Sequence, residues 1–341
     1  MGRIDMHAVA SAAGVSQSTV SRVLHRPELV RPQTRELVYD AIERLGYEYN
    51  SVAADFNRQK SSIIGLIVFT ARSSIHADLI DGVQEELQGT RYSLVIGNSR
   101  YDAATERELI RLFGQRRLSG VIVAETTDEN RDELWHLERA GVPTVVTWEM
   151  TEDKSCHCVG IDNYKASYDM TQYLVRLGHR GIALIAGRYD RIERVRHRYQ
   201  GFCDALRDSG LPLESGLVVG TTPSVVDGRD AMYRILAGNK VPSAVFAASD
   251  ALAMGAISAL RDSGYSVPDD VSVCGFDDID MAPFITPALT TVSVPGYEMG
   301  KQAAASVMRL AESKQEGEIR VCLPTRVVER DSCQDVNRAG C

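Results

Sequence analysis

The sequence predicts an α/β protein in which an all-α helix-turn-helix headpiece precedes two doubly wound parallel-sheet subdomains. Two observations lead to this prediction. Near the N-terminus, two short helical patterns are joined by a glycine, which is the spacing of a helix-turn-helix. From Ile63 onward, short apolar runs alternate with amphipathic segments, as buried parallel strands alternate with helices. Because these strands are too many for one compact sheet, we expect two sheets in tandem.

The headpiece is predicted to contain three short helices. Asp5 suits the N-cap of the first helix, and Gly14 ends it as a C-cap glycine does. Ser16 is suited to cap the second helix, whose valines form an apolar stripe. Pro32 fits the first turn of a third helix, which Gly46 ends.

The polar face of the second helix has the chemistry of a major-groove reader. Glutamine pairs with adenine edges and arginine with guanine edges, while serine and threonine hydroxyls suit phosphate oxygens. The alternative is a helical hairpin whose polar face is only solvated. We predict that the residues contacting DNA on this face are Ser16, Gln17, Ser18, Thr19, Ser21 and Arg22.

Beyond the headpiece, nine apolar runs are predicted to be strands. They cover residues 63–69, 93–97, 120–123, 144–148, 158–162, 182–187, 217–220, 244–248 and 271–276. The break between the two sheets is expected near Gly160. Ligands of such sheets bind beyond the carboxyl ends of the strands, so we expect a ligand cleft between the two halves.

Several motifs resemble one known family. The segment AxAAGVSxSTVSRVL, within a match that covers about the first sixty residues, resembles the DNA-binding headpiece of the lactose repressor family of bacterial transcription regulators. The later segments VGIDNYKA, FAASDALAMGAISAL, VPDDVSVCGFDD and PALTTVSVP extend the resemblance to about residue 332. They look like the family's effector-binding core, which is similar to periplasmic sugar-binding proteins.

The resemblance implies further DNA contacts and a hinge helix that enters the minor groove of DNA. The contacts it implies are Thr34, Asn50, Ala53 and Phe56. Phe56 stands where the family has a leucine that wedges between base steps, and an aromatic wedge is physically suitable. Tyr49 replaces the usual proline and Asp55 adds negative charge. The alternative is therefore a flexible tether with Phe56 packed on the core.

The expected domain boundaries follow from these patterns and from the resemblance. They are a headpiece at residues 1–46, a hinge helix and linker at 47–61, an effector-binding core at 62–332 and a C-terminal tail at 333–341. Within the core we expect an N-subdomain of about residues 62–160 and 294–323, and a C-subdomain of about 161–293 and 324–332.

Residues just past the predicted strand ends are candidates for effector binding. Two of them have structural alternatives, since an isolated tryptophan such as Trp148 often belongs to a core and Asp250 can cap the helix after it. The resemblance places a ligand-gripping arginine at Arg198, whose fork of donors suits vicinal hydroxyls or a carboxylate. The candidates are Ser73, His76, Trp148, Arg194, Arg198, Ser249, Asp250 and Asp277.

A run of basic residues leads to a more specific hypothesis about the effector. The run consists of Arg188, Arg191, Arg194, Arg196, His197 and Arg198. At the mouth of the cleft it would attract an anionic effector such as a sugar acid or a sugar phosphate. The alternative is an ordinary solvated face.

Composition excludes several classes of protein. The net charge is −8, with +1 in residues 1–60 and −9 in the rest, which permits DNA binding without indicating it. No apolar run approaches the roughly 20 residues of a membrane span. We expect no signal peptide, a cytoplasmic location and reduced thiols for the seven cysteines. Cys156-His157-Cys158 lacks the paired spacing of zinc sites, so we expect neither metal nor cofactor.

The combined prediction is a homodimeric transcription regulator, most simply a repressor, that binds double-stranded operator DNA under the control of a small sugar-like effector. Some members of the family that this chain resembles carry a C-terminal leucine heptad that makes tetramers. No leucine occurs in residues 331–341, so the resemblance implies a dimer. The alternative from another class is a sugar-binding protein with a non-functional headpiece. An enzyme has no support, because no P-loop, GxGxxG, GxSxG or HExxH motif stands in the sequence.

Overall fold

A computed structural model describes residues 4–25, 27–47, 61–124, 126–151, 156–187, 192–238, 240–312 and 317–337. The chain divides into two compact units, residues 1–61 and residues 62–341, and each is described by itself. Some predicted residues lie outside the described ranges. They are the hinge residues Tyr49, Asn50, Ala53, Asp55 and Phe56, and the arginines Arg188 and Arg191.

The first unit contains helices α1 (Met6–Ala13), α2 (Gln17–His25) and α3 (Pro32–Leu45). The predicted caps are confirmed. The Asp5 carboxylate accepts the Ala8 N–H at 2.9 Å. Gly14 and Gly46 adopt the left-handed conformation, with φ of 66° and 61°, which glycine tolerates without a steric penalty. The three helices share a small core, which consists of Val9, Ala10, Val20, Val23, Val38 and Ala41.

The second unit begins with a six-stranded parallel sheet, here called the N-sheet. Its strands are β1 (Ile63–Val68), β2 (Ser93–Asn98), β3 (Gly120–Val123), β4 (Thr144–Glu149), β5 (His157–Ile161) and β11 (Arg320–Cys322). The order is β11-β5-β4-β3-β1-β2. The strand order reverses at β1, so the crevice at a doubly wound switch point lies between β1 and β3.

A four-stranded parallel sheet, the C-sheet, forms the other half of this unit. Its strands are β6 (Ile182–Ala186), β7 (Val218–Gly220), β8 (Ala244–Ala247) and β9 (Ser272–Cys274), in the order β7-β6-β8-β9. Strands β10 (Thr291–Ser293) and β12 (Arg326–Val328) form a short antiparallel pair. All nine predicted strands are confirmed, and the prediction of two tandem parallel sheets with them.

Eight helices are described in the second unit. Those packed with the N-sheet are α4 (Ser74–Leu87), α5 (Ala103–Gln115), α6 (Arg131–Arg139) and α11 (Gly296–Ala311). Those packed with the C-sheet are α7 (Asn163–Arg176), α8 (Glu193–Asp208), α9 (Val225–Leu236) and α10 (Asp250–Asp262). The first turns of α4, α8, α9 and α10 follow carboxyl ends of strands, so these helices begin at the edge where the cleft opens.

Three helix pairs touch through glycine. A Cβ atom on Gly82 of α4 would lie 2.0 Å from the Tyr297 carbonyl oxygen of α11. Equivalent contacts join α7 to α8 at Gly201 and α9 to α10 at Gly255, where the distances would be 2.2 Å and 2.1 Å. These close contacts leave no room for a side chain at the three glycines. The helices can therefore pack at these distances only while glycine stands there.

The C-terminal residues that we predict as a tail continue on the core as far as they are described. The Val273 N–H donates to the Ser332 carbonyl at 2.8 Å, and the Val336 N–H donates to the Leu177 carbonyl at 2.8 Å. Among the described residues no helix is both long and apolar enough to cross a membrane.

Candidate functional site

The polar face of α2 is presented to solvent. Ser16, Gln17, Ser18 and Arg22 are exposed, whereas Val20 on the other side is fully buried. Thr19, Ser21 and Thr34 are half-buried. Every predicted DNA contact that the structure describes is therefore at least partly accessible, and α2 is anchored by its apolar stripe with the polar side chains outward.

Ser16 organises the start of α2. Its Oγ accepts the Thr19 N–H at 3.2 Å, as the predicted cap requires, and lies 2.8 Å from the Ser18 Oγ and 2.9 Å from the Thr19 Oγ1. The hydroxyls form a cluster at the positive end of the helix dipole. Such a cluster suits a phosphate oxygen, because helix N-termini favour anions.

The second unit contains a cleft between the carboxyl ends of its two parallel sheets. The cavity in this cleft has a volume of about 1070 Å³. Seven of the eight predicted effector-binding residues line it, namely Ser73, His76, Trp148, Arg194, Arg198, Ser249 and Asp277. The rule that ligands bind beyond strand ends thus brings together residues that are more than 200 positions apart in the chain.

Asp250 is the exception, and its prediction as a ligand contact is corrected. Its side chain is fully buried and does not reach the cavity. The carboxylate instead accepts the Thr291 hydroxyl at 2.5 Å and the Ile279 N–H at 2.8 Å. The alternative prediction, that Asp250 caps the following helix, is also wrong, because Ser249 is the N-cap and accepts the Leu252 N–H at 3.3 Å.

The Asp250 carboxyl shapes the loop that carries Asp277. The Asp250 backbone N–H donates to the Phe276 carbonyl at 2.7 Å, and the Asp250 carboxylate accepts the Ile279 N–H. Asp277 between these contacts has a φ of 117°, which is unusual for a residue with a side chain. Burial, and then the charge of Asp277, raise the pKa of Asp250 to about 8.

Arg198 lies in the wall of the cleft with most of its guanidinium already engaged. Nε donates to the Asn163 Oδ1 at 2.7 Å, and one terminal nitrogen donates to the Ala248 carbonyl at 2.9 Å. The guanidinium carbon lies 3.6 Å from the centre of the Phe276 ring. The arginine is therefore held rigidly by at least these two donated hydrogen bonds and by the ring that packs against its guanidinium.

The described part of the basic run is dispersed over different environments. Arg194 lines the cavity. Arg196 binds Asp128 at 2.9 Å, and the His197 Nδ1 lies 3.2 Å from a Glu149 oxygen. Hydrogen bonding to Glu149 raises the pKa of His197. The described members of the run, Arg194, Arg196, His197 and Arg198, thus form neither one solvated face nor one ligand-binding patch.

Several of these pairs join the two walls of the cleft. Asp128 and Glu149 belong to the N-sheet half, whereas Arg196 and His197 are on α8 of the other half. Arg131 of α6 likewise bonds to Glu193 of α8. Ion pairs on one side of the cleft therefore connect the halves directly, in addition to the chain crossings.

Sequence reasoning missed other residues that line the cavity. These are Phe69, Arg72, Tyr101, Glu129, Thr221, Thr222 and Met254, among others. Most follow a strand that the sequence reveals, such as Tyr101 after β2 and Thr221 after β7. Extending the strand-end rule to every strand would have found residues such as Phe69, Tyr101 and Thr221, but not Met254, which lies inside α10.

The Cys156-His157-Cys158 segment does not gather ligands for a metal. The His157 Nδ1 accepts the Ile319 N–H at 3.0 Å, and Cys158 is buried in β5. Within the described ranges, no group of three or more His, Cys, Asp or Glu side chains could hold a metal ion.

Comparisons with known proteins agree with this architecture. Residues 5–50 match the family described as bacterial regulatory proteins, lacI family, and residues 171–333 match a periplasmic binding protein-like domain. The chain is 34% identical to the HTH-type transcriptional regulator RegA of Clostridium saccharobutylicum, over 95% of this chain and 97% of that relative. It is 30% identical to the HTH-type transcriptional repressor PurR of Pasteurella multocida, over 94% of this chain and 96% of that relative.

Solved structures give the same result. A complex of the transcriptional regulator CelR with cellobiose has a TM-score of 0.73 at 30% identity, covering 97% of this chain and all of that one. The lac repressor dimer bound to operator and an anti-inducer has a TM-score of 0.84 at 23% identity, covering 98% of this chain and all of that one. At this lower identity, the second likeness supports the fold alone.

Proposed function

Because this chain belongs to the lacI family of bacterial regulatory proteins, we propose that its headpiece and its cleft work as one switch on transcription. The chain is a DNA-binding transcription regulator with an effector domain, and we infer that it acts as a repressor. The observation that carries the proposal is the pairing of an exposed polar α2 with a large cleft lined from both parallel sheets.

In the headpiece, Gln17 and Arg22 would read base edges. Both side chains are exposed on α2, and their donors match adenine and guanine in the major groove. The hydroxyl cluster of Ser16, Ser18 and Thr19 would bind a phosphate and fix the register of α2 on the duplex. Acting in the cytoplasm, the protein would reach the chromosome directly.

In the core, a sugar or a sugar-derived metabolite is the proposed effector. A cavity of about 1070 Å³ is ample for such a molecule, and the mixture of aromatic, arginine and aspartate side chains in its wall suits rings with many hydroxyls. The relative CelR is described in complex with cellobiose. This likeness supports the class of ligand proposed here.

Coupling between cleft and operator would follow from closure. A ligand that touches both walls changes the free energy of the closed form relative to the open form. The ion pairs between Asp128 and Arg196, and between Glu149 and His197, join the two halves, so closure would change their geometry. By linkage, operator binding must change effector affinity by the same factor as effector binding changes operator affinity.

A homodimer is the proposed assembly. Strand β2 lies at the edge of the N-sheet, and its Val95 and Ile96 are 42% and 43% exposed. An apolar edge strand favours pairing with another surface, and a second copy of this chain would provide two-fold symmetry for a pseudo-palindromic operator. Analytical ultracentrifugation checks this proposal, and a monomer or a tetramer would contradict it.

A regulatory rather than an enzymatic role is proposed for the cleft. The alternative function, a sugar-binding protein whose headpiece no longer reads DNA, makes a different prediction about DNA. We therefore propose to select binding sites from a library of random symmetric duplexes, using the full chain and a chain that begins at residue 62.

The regulator should enrich one symmetric site, and its affinity for that site should fall steeply with salt because phosphate contacts release counterions. The shortened chain should enrich none, while retaining the melting temperature of the core. Failure of the full chain to enrich any site would favour the alternative.

A further inference from the structure

Trp148 has a buried hydrogen-bond donor that no residue in the described part of the chain satisfies. The residue is 2% exposed and lines the cleft. Among the described residues, no acceptor bonds to its indole Nε1–H. A buried donor without a partner is destabilising, so a ligand that supplied an acceptor at this point of the cavity wall would stabilise it. This inference rests on the proposed effector function of the cleft.

The backbone of Trp148 is also held in a costly conformation. Its φ is 71°, in the left-handed region that bulky residues rarely adopt. Asn163 holds it there, since its Nδ2 donates to the Trp148 carbonyl at 2.7 Å. On the other side, the Trp148 N–H lies 3.3 Å from the sulfur of Met299. Asn163 and Met299 therefore hold the Trp148 backbone in a conformation that is unfavourable for a bulky residue.

The groups beside Trp148 favour negative charge. His76, in the first turn of α4, has its ring centre 5.5 Å from that of Trp148. α4 begins at the cleft with Ser73, which makes no side-chain capping bond to the first-turn N–H groups. The positive end of a fourteen-residue helix thus faces the cavity. Arg72 and Arg194 line the same cavity.

Three carboxylates of the described ranges line the cavity, those of Asp102, Glu129 and Asp277, and Glu129 already interacts within the protein. Asp102 lines the cavity, but its Oδ1 accepts the Thr105 N–H at 2.7 Å and the Thr105 hydroxyl at 2.6 Å. Asp277 comes from the end of the C-sheet, whereas Trp148 comes from the N-sheet. The cleft therefore offers donors near Trp148 and a carboxylate for hydroxyl groups on the other half.

We propose that the effector is a sugar acid or sugar phosphate whose anionic group accepts the Trp148 Nε1–H beside the N-terminus of α4. Its hydroxyl groups face Asp277 and Arg198. Trp148 is thereby assigned a role through the edge of its ring, as a donor, rather than through stacking of its face.

The chain offers a direct optical test. Its two tryptophans are Trp135 and Trp148, so Trp135→Phe leaves Trp148 as the single source of tryptophan emission. In that background, emission is titrated with gluconate, galacturonate and glucose 6-phosphate, and with glucose and cellobiose as neutral probes. We expect at least one anionic probe to shift the emission and to bind more tightly than either neutral probe.

Substitutions then assign the contact, with calorimetry of the full chain as the readout. Trp148→Phe keeps an aromatic ring and removes the N–H. It should weaken the anionic probe by about 10- to 100-fold, the usual effect of a hydrogen bond to a charged group. Arg194→Gln should also weaken it, whereas the control Arg207→Gln, near the other end of α8, outside the cavity wall and paired only within its own helix, should not.

Three results would overturn the proposal. They are binding of neutral probes alone, no response of Trp148 to any anionic probe, and unchanged affinity for the anionic probe in both Trp148→Phe and Arg194→Gln. Enrichment of an operator by the same preparation separates this inference from the proposed function. If the operator is enriched but no anionic probe binds, only the assignment of the effector class is wrong.

Discussion

Asp250 lies where the sequence predicts a ligand contact, but its side chain turns into the protein. The strand-end rule locates the backbone of a residue and says nothing of its side-chain rotamer. The partners that hold the carboxyl, Ile279 and Thr291, follow 29 and 41 residues later in the chain. They reach Asp250 only after β9 and β10 are in place, so no local pattern reveals them.

The raised pKa of Asp250 predicts a pH dependence of stability. An aspartate titrates at about 3.9 in an unfolded chain, and at about 8 in this fold. The folded protein therefore binds more protons between these values, and the contribution of this group to stability is lost as pH rises through that range. In Asp250→Asn the amide oxygen can accept the Ile279 N–H and the amide N–H can donate to the Thr291 hydroxyl, and the amide does not titrate. The stability of this variant relative to the wild type should increase from pH 5 to pH 8.

Urea denaturation of both proteins at four pH values in that range measures this difference. Asp280→Asn serves as a control, because its exposed residue should leave the pH profile unchanged. Parallel profiles for the wild type and Asp250→Asn would show that Asp250 does not titrate abnormally.

Arg22 allows a residue-scale test of DNA reading. If its exposed guanidinium reads a guanine, Arg22→Ala should cost about 1–3 kcal/mol and relax specificity at one position of each half-site. Arg44→Ala, at the exposed end of α3, should leave base preference unchanged. Selection of binding sites with each variant measures both effects, and an unaltered preference in Arg22→Ala would exclude this base contact.

At the scale of elements, apolar runs predict the strands well because a buried parallel strand must be apolar on both faces. Caps such as Asp5, Gly14 and Ser16 are equally local, and the structure confirms them. The helix pairing was not predictable in this way. Gly82 of α4 and Tyr297 of α11, which meet at this contact, are more than 200 residues apart in the chain, so neither helix pattern reveals that the two helices touch.

The glycine contacts predict a large and specific loss of stability. A Cβ atom on Gly82 would lie 2.0 Å from the Tyr297 carbonyl oxygen, and backbone cannot move aside as a flexible side chain does. Gly82→Ala should therefore destabilise the protein by about 1–3 kcal/mol or more, as overpacking does. Gly216→Ala, where an added Cβ meets nothing within 4 Å, is the matched control.

Thermal melting followed by circular dichroism distinguishes the two variants. We expect Gly216→Ala to melt near the wild type and Gly82→Ala to melt several degrees lower. Equal melting temperatures would contradict the close packing of α4 on α11.

At the scale of the whole molecule, we propose that a cleft in one compact unit controls DNA reading by the other. The cleft between the sheets could be predicted from topology, because doubly wound sheets place ligands at strand ends. The contacts that would govern closure could not. Glu149 and His197, for example, meet across the cleft at 3.2 Å although no pattern in the sequence connects them.

The His197–Glu149 pair, which joins the two halves, predicts that the stability of the fold depends on pH. Because the pair raises the pKa of His197 in the folded protein, its stabilising effect is full below the unfolded value of about 6.5 and is lost as pH rises through the folded value. His197→Gln should therefore lower the melting temperature at pH 6 more than at pH 8.5. An equal effect at both pH values would contradict a charged pair.

The most direct test of the central claim is a thermodynamic cycle on the selected operator. Operator affinity is measured by fluorescence anisotropy with and without a saturating cleft ligand, and the affinity of that ligand is measured with and without operator. If the cleft controls DNA reading, the ratio of operator affinities with and without ligand differs from one. It equals the ratio of ligand affinities with and without operator. Operator affinity that stays the same with every ligand bound in the cleft would contradict this claim.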